Sequence, residues 1–524
     1  LSSLYKQRLA SLSRAGQTHL LKHGLMGLEK ETLRVGANGK IAQTPHPRAL
    51  GSALTHPYIT TDYSEALTEI ITPPFSNPCD SLQFLQQAQQ FVYRHLENNE
   101  SLWATSMPCV LAGEDSIPIA RYGSSHAGTM KTIYRRGLGH RYGRVMQVIA
   151  GVHFNYSVNE ALWPVLQQIE NSTSSVQDFS TEFYFGMLRN LQRVGWLIPY
   201  LFGASPTICK SFLGGKPTSL IPLSESTYYE PYATSLRMGD IGYQNNKENE
   251  VGVKANYNSL QEYVESLEHA INTPYPAYEK FGINANGRYE QLNANLLQIE
   301  NEYYTTVRPK QILEGYEKPV RSLQRRGVRY IELRSLDVNA YEPLGVDEEQ
   351  LRFLECLMLY CLLKESPALS RQQQIVFDRN ELMVAHHGRQ PELQLKQGGQ
   401  KISLTVWGGS IMEEMLPIAE LLDAGETMPV YQQALQQQLA KMENPDLTPS
   451  ARMLAEVEDS GEEFFTFAMR MSNRHKEILQ ALDFPAELEQ RFLQWAQDSL
   501  ERQEAIEKAD QGSFEEYLRA YLSQ

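Results

Sequence analysis

The stretch Gly27-Leu28-Glu29-Lys30-Glu31-Thr32-Leu33-Arg34-Val35 decides how this chain is read. It alternates as a strand does and ends at the turn cluster Gly36-Ala37-Asn38-Gly39. Successive strand side chains point to opposite faces, so Glu29 and Glu31 point the same way, alongside Leu33. A carboxylate on the apolar side of a strand is costly to desolvate unless it is paired or bound to a metal.

Three further segments repeat the arrangement. In Leu67-Thr68-Glu69-Ile70-Ile71, Glu69 shares a face with Leu67 and Ile71. A strand from Met146 to Ser157 places His153 and Asn155 on one face. A strand from Arg329 to Leu336 places Glu332 and Arg334 beside Tyr330. Each feature alone has a bland reading: a solvated strand glutamate, a hydrogen-bonded core histidine, a surface pair worth little. Their recurrence in four strands points further. Carboxylates gathered from several strands repel one another, and divalent cations are the natural compensation. Oxygen-rich sites with an occasional imidazole suit Mg²⁺ or Mn²⁺ better than Zn²⁺. Spacing alone goes no further than a candidate metal site.

The rest of the chain sets bounds. With 524 residues it can bury a large core, and length alone suggests two to four domains. Its 48 Lys+Arg against 62 Asp+Glu leave a formal net charge of −14, which argues against nucleic acid as main partner. No apolar run approaches a membrane span. Residues 1–24 are broken by Lys6, Arg8, Arg14 and His19 and hold no signal-peptide core. Five sparse cysteines read as buried free thiols in a reducing cytoplasm, with Cys356 and Cys361 in an apolar helical stretch.

Helices are expected over Leu4 to Lys22, over Asp80 to Leu96 with Asp80 as N-cap, and over Asn258 to Ile271. After about residue 346 the chain turns Leu/Glu/Gln-rich and mostly helical, apart from a hairpin near Leu393 to Trp407. Leu488, Phe492, Trp495 and Leu500 form one stripe there, and Ser513 with Glu516 forms a late capping box. The reading is α+β, with one catalytic sheet region over residues 1–345 and a helical region over 346–524 packed on the same domain.

Phosphate loops are absent. Gly123-Ser124-Ser125-His126-Ala127-Gly128 has P-loop glycine spacing, but Thr129-Met130 follows where Lys-Ser/Thr is needed. Gly215-Lys216-Pro217-Thr218 lacks the upstream glycine, and no GxGxxG exists. Metal ions and arginines would have to hold any nucleotide phosphates, the candidates being Arg135, Arg136, Arg237, Arg308 and Arg334. Tyrosines in loop-like contexts, Tyr134, Tyr228, Tyr229, Tyr243, Tyr303 and Tyr304, suit a small amphipathic ligand or plain half-buried packing.

The Gly27–Val35 stretch resembles the amino-terminal signature of the proteobacterial class of bacterial glutamate–cysteine ligases (γ-glutamylcysteine synthetases). The likeness continues in order through Ser52-Ala53-Leu54-Thr55-His56, Ile59-Thr60-Thr61-Asp62, Gly151-Val152-His153-Phe154-Asn155, the segment from Ile198 to Pro206, the segment from Tyr232 to Arg237, the segment from Leu297 to Glu302, and the segment from Tyr330 to Asp337. The helical tail resembles the family more weakly.

The resemblance implies a glutamine synthetase-like fold: a curved antiparallel sheet cupping ATP, Mg²⁺ and substrates, surrounded by helices. It implies ATP-dependent joining of L-glutamate to L-cysteine, the first step of glutathione synthesis, with glutathione as a feedback inhibitor. By motif, Glu29, Glu31, Asp62, Glu69, His153 and Glu332 would form the metal and nucleotide-phosphate shell. Arg334 would meet the transferring phosphate, with Glu69 as its catalytic companion. Tyr134, Arg135, Arg237, Tyr243 and Tyr304 would line the amino-acid pockets. A disulfide of some members has a match at Cys109, but residues 155–175 hold no second cysteine, which puts control by that bond in doubt.

Three alternatives stay open on the residues alone. One is a related carboxylate–amine ligase with another amine acceptor. Another is a non-catalytic metal-binding protein. The third, a metallohydrolase, is weakened by the lack of close histidine clustering.

Overall fold

The computed structural model describes residues 3–242, 254–285 and 287–524. Its centre is an antiparallel sheet. From one edge the strands run Val307–Lys310, Tyr330–Leu336, Val152–Ser157, Leu25–Val35, Leu67–Ile71 and Ile59–Thr61. The short Ser101–Leu102 strand pairs with the far end of Leu25–Val35. The four acid- or histidine-bearing segments read from the sequence are thus consecutive neighbours. Register sets their faces: Glu29 stands opposite His153, Glu31 opposite Glu69, and Glu332 opposite Asn155.

The other face of the sheet makes the core. Met26 and Leu28 are fully buried, and the helix Pro78–His95 packs behind this strand. Lys30 lies on the same buried side. It donates to Gln89 Oε1 at 2.8 Å and to the Pro343 carbonyl at 3.2 Å, and burial pushes its ammonium down to about 7. The helix Glu348–Leu363 is buried along nearly its whole length and packs on Val176–Val194, Leu404–Asp423 and Val430–Glu443. One hydrophobic cluster reaches from Tyr5 to Phe492, so the late helices share the core of the sheet. Among the described residues, no helix is long and apolar enough to cross a membrane.

Several boundaries differ from the sequence reading. The first helix ends at Arg14, and only a 3₁₀ turn, Thr18–Leu21, follows the left-handed Gly16. The second begins at Pro78 with Asn77 as its cap, because the Asn77 side chain accepts from the Cys79 amide and proline fits the first helical turn. The third runs Leu260–Asn272 behind Ser259. The His153 strand starts only at Val152, since Val145–Val148 forms a 3₁₀ turn. The hairpin Gln394–Gln397/Gln400–Ser403 and the Ser513–Glu516 capping box form as expected.

The cysteine reading needs correction. Cys109 is disulfide-bonded to Cys209, with Cα atoms 5.4 Å apart and both residues buried. The partner arrives on Thr207–Cys209, a strand of a separate small sheet, so no local spacing announces it. Cys356 and Cys361 are buried free thiols as read, whereas Cys79 is exposed.

Candidate active site

The acid-bearing face of the sheet forms one wall of a cavity of about 860 Å³. A helix, His126–Tyr142, forms another and carries Tyr134 and Arg135, whose sequence context is loop-like. Two glycines explain that context. A Cβ at Gly137 would come within 2.3 Å of Gln298 Oε1, so a side chain there would have to displace the buried Gln298 amide. Gly128 likewise lies against the Tyr122 carbonyl. Tyr228 and Tyr229, also read as loop residues, form a strand with Thr227.

Glu29 is held on both oxygens. Asn155 Nδ2 donates to Oε1 at 2.9 Å, and His153 Nδ1 lies 3.1 Å from Oε2. The other ring nitrogen of His153 is 3.6 Å from Glu31, and Nδ1 is 3.8 Å from Glu332. Glu31 accepts the Gly151 amide at 2.8 Å. Glu332 is 1 % exposed, which excludes the surface-pair reading, and it meets Lys310 Nζ at 3.1 Å and Arg334 Nη1 at 3.2 Å.

The electrostatics split these acids into two kinds. Burial opposes ionisation at Glu332, but Lys310, Arg334, His153 and Arg308 outweigh it and hold the carboxyl well below the usual range. Burial opposes ionisation at Glu29 too, and the His153 hydrogen bond turns the balance downward. At Glu31 burial wins and the carboxyl is raised. At Glu69 burial is reinforced by Glu29, Asp62 and Glu31, which push it well above the usual range.

Such a group is short of positive charge. Glu29, Glu69 and His153 each bring a ligand atom within 4.8 Å of the others, a donor set of hard oxygens with one imidazole that fits a divalent cation. Asp62 lines the same cavity just beyond the strand Ile59–Thr61. Its backbone carbonyl accepts from Arg135 Nε, and Tyr122 Oη lies 2.9 Å from it.

Tyr134, Arg135, Tyr304 and Arg334 all line the cavity. Burial raises the Tyr304 phenol to about 12, against the pull of Arg237 and Arg334. Arg237 lies outside the lining. It is buried, donates to the Arg334 carbonyl at 2.9 Å and lies 3.5 Å from Asp337, so it supports the Glu332 strand from the side. Tyr243 falls outside the described residues. In the P-loop-like segment the amides at Ser124 and His126 donate to Glu507 and Asp510 of the C-terminal helical part.

Comparison with known proteins gives the family. The family model described as glutamate–cysteine ligase matches residues 9–384. The chain belongs to the glutamate–cysteine ligase family. It is 47% identical over 522 residues to the glutamate–cysteine ligase of Alcanivorax borkumensis, covering 99% of each chain. It is 47% identical over 521 residues to that of Pseudomonas aeruginosa PAO1, covering 99% of this chain and 98% of the relative. A crystal structure of the Francisella tularensis glutamate–cysteine ligase in complex with AMP superposes with a TM-score of 0.89 at 33% identity, covering 96% of this chain and 98% of that one. A bifunctional glutathione synthetase from Pasteurella multocida shares the fold, with a TM-score of 0.69 at 24% identity, covering 91% of this chain and 54% of that one. Membership makes the chain a ligase with a mixed helical and antiparallel-sheet fold.

The family resemblance and the strand reading both passed over some residues of the site. Lys310 pairs with Glu332, and only the alternation in Val307-Arg308-Pro309-Lys310 hints that Arg308 and Lys310 share its face. Glu302 is enclosed by Arg141 Nη1 at 2.8 Å, Tyr142 Oη at 2.9 Å and the Gln298 amide at 2.7 Å. That carboxylate ties the cavity helix to the loop bearing Tyr304 and needs no counter-ion from a ligand. No sequence spacing marks it.

Proposed function

We propose that this chain joins the γ-carboxylate of L-glutamate to the amine of L-cysteine at the expense of ATP, through a γ-glutamyl phosphate, as the first step of glutathione synthesis. The observation that carries this reading is the set of strand acids standing beside Arg334, Lys310 and Arg308 on one wall of a single cavity, in a chain of the glutamate–cysteine ligase family. Phosphoryl transfer is mostly positioning and charge neutralisation, and it calls for cations more than for a nucleophilic side chain.

In this reading an oxygen of the glutamate γ-carboxylate attacks the γ-phosphorus of ATP and ADP leaves. The cysteine nitrogen then attacks the acyl carbon, loses a proton, and inorganic phosphate departs. Arg334, fixed by Glu332 and by the Arg237 bond to its own carbonyl, faces the transferring group. Glu29, Glu69 and His153, with Glu31, Asp62 and Glu332 around them, would hold Mg²⁺, or Mn²⁺ in its place. Bound there, the metal supplies neutralisation of phosphate charge. Tyr134, Arg135 and Tyr304 border the space left for the amino acids, and Tyr304 keeps water from the acyl phosphate. Glutathione contains the same γ-glutamylcysteine unit, so it is expected to compete for these pockets.

The test is a phosphate-release assay with ATP, Mg²⁺ and L-glutamate, in which L-cysteine competes against 2-aminobutyrate and other amino acids. Preference for L-cysteine with formation of the dipeptide is expected. Preference for another amine would move the chain to a different carboxylate–amine ligase activity.

A further inference from the structure

Lys131 and Arg135 lie four residues apart on the cavity helix, the spacing at which side chains share a helix face. Both line the cavity. Both lie over one ring: Lys131 Nζ is 5.2 Å and the Arg135 guanidinium 4.6 Å from the centroid of Tyr122. That ring is buried and pinned, since its hydroxyl donates to the Thr61 carbonyl at 2.7 Å. The two cations are therefore held as a pair at the end of the strand that leads to Asp62.

Their partners set them apart from three other bases of the cavity, although Arg308 and Lys216 in the lining likewise show no ion pair among the described residues. Lys310 and Arg334 each meet Glu332, and Arg141 meets Glu302. Among the described residues, neither Lys131 nor Arg135 has a carboxylate within the 4.0 Å of an ion pair. Arg135 spends its Nε on the Asp62 carbonyl and an Nη on the Lys131 carbonyl. Two cations, packed on an aromatic face and open to a cavity, feel Glu69 of the sheet wall only from beyond ion-pair distance, and so form a receptor for an anionic group.

We propose that Lys131 is the second half of an anion clamp with Arg135 and binds a carboxylate or phosphate group of one substrate from the helix wall of the cavity. This deepens the function proposed above and rests on its substrate set. The shared chemistry is a pair of anionic oxygens. Its source is either the α-carboxylate of one amino acid or a phosphate of ATP.

The experiment compares the wild type with Lys131→Met, which keeps an apolar stem over Tyr122, and with Lys131→Arg, which keeps the charge. KM for L-glutamate, L-cysteine and ATP, kcat, and the thermal shift produced by each substrate are measured for all three proteins. Lys131→Met is expected to raise one KM by about 10- to 100-fold, with melting temperature unchanged, and to lose the thermal shift of that same substrate. Lys131→Arg is expected to restore both. The affected substrate identifies the source of the anion.

If the wild type makes the dipeptide and all three KM values of Lys131→Met match it, the clamp is overturned and the function stands. An equal rise in every KM with a lowered melting temperature also overturns it, as a structural effect. If the wild type makes no dipeptide, the proposed function fails, and the clamp is read from thermal shifts with L-glutamate and inorganic phosphate. Loss of one shift in Lys131→Met supports it, and identical shifts overturn it.

Discussion

Glu31 and Glu69 stand directly opposite each other on adjacent antiparallel strands, two carboxylates on one face of the sheet, and burial with neighbouring acids raises both. Like charges so placed destabilise the metal-free protein. Glu69→Gln is therefore expected to raise its stability in EDTA at pH 8 by about 1 kcal/mol. The gain should shrink as the pH falls, because the wild-type carboxyl takes up its proton in the folded state. The same substitution should abolish most of the Mg²⁺-dependent thermal shift and lower turnover at least about 100-fold. Calorimetry with and without Mg²⁺, and a turnover assay, check this. A wild-type response to Mg²⁺ would remove Glu69 from the proposed site.

Arg334 is expected to matter more to rate than to fold. Glu332 keeps Lys310 at 3.1 Å when Arg334 is lost, so Arg334→Ala should stay folded. Turnover should fall by about 10³-fold, with Arg334→Lys recovering only part of it. Steady-state kinetics beside a circular-dichroism melt separates the two effects. Near wild-type turnover would contradict the assignment.

Tyr304 and Arg334 both border the cavity, and Arg237 and Arg334 pull the Tyr304 phenol down against burial. If it shields the acyl phosphate, Tyr304→Ala should raise ATP hydrolysis per dipeptide several-fold. Parallel assays of phosphate and dipeptide give the ratio, and an unchanged ratio would argue against shielding.

Much of the site was legible because strands have a period of two. Glu29, Glu31, Glu69, His153, Glu332 and Arg334 could each be assigned a face from alternation, and the sheet places those faces together. The cavity helix was not legible. One of its faces meets a polar cavity, so it lacks a clean apolar stripe, and its internal glycines serve contacts with Gln298 and Tyr122 that only the fold creates. The Cys109–Cys209 bond was hidden for a related reason: it joins segments 100 residues apart. The role of Glu302 is also tertiary, since Arg141 and Tyr142 reach it from the cavity helix.

Away from the cavity, Glu355 should govern part of the pH dependence of stability. It is buried, accepts from Tyr431 Oη at 2.7 Å, and burial raises it to about 7 from a usual 4.5. Between those values the folded state holds more protons than the unfolded chain, so stability falls as the pH rises through the window. The full penalty above pH 7 is about 3 kcal/mol. Glu355→Gln is expected to stabilise the protein at pH 8 and to change little near pH 4. Urea melts at both pH values test this, and an equal effect at both would contradict it.

The central claim is that glutamate is activated by phosphorylation on its γ-carboxylate. The most direct measurement uses L-glutamate labelled with ¹⁸O in that carboxylate, together with ATP, Mg²⁺ and L-cysteine, and reads the released phosphate by mass spectrometry. One labelled oxygen per phosphate, matched to one dipeptide formed, is the predicted result. Unlabelled phosphate alongside dipeptide synthesis would contradict it.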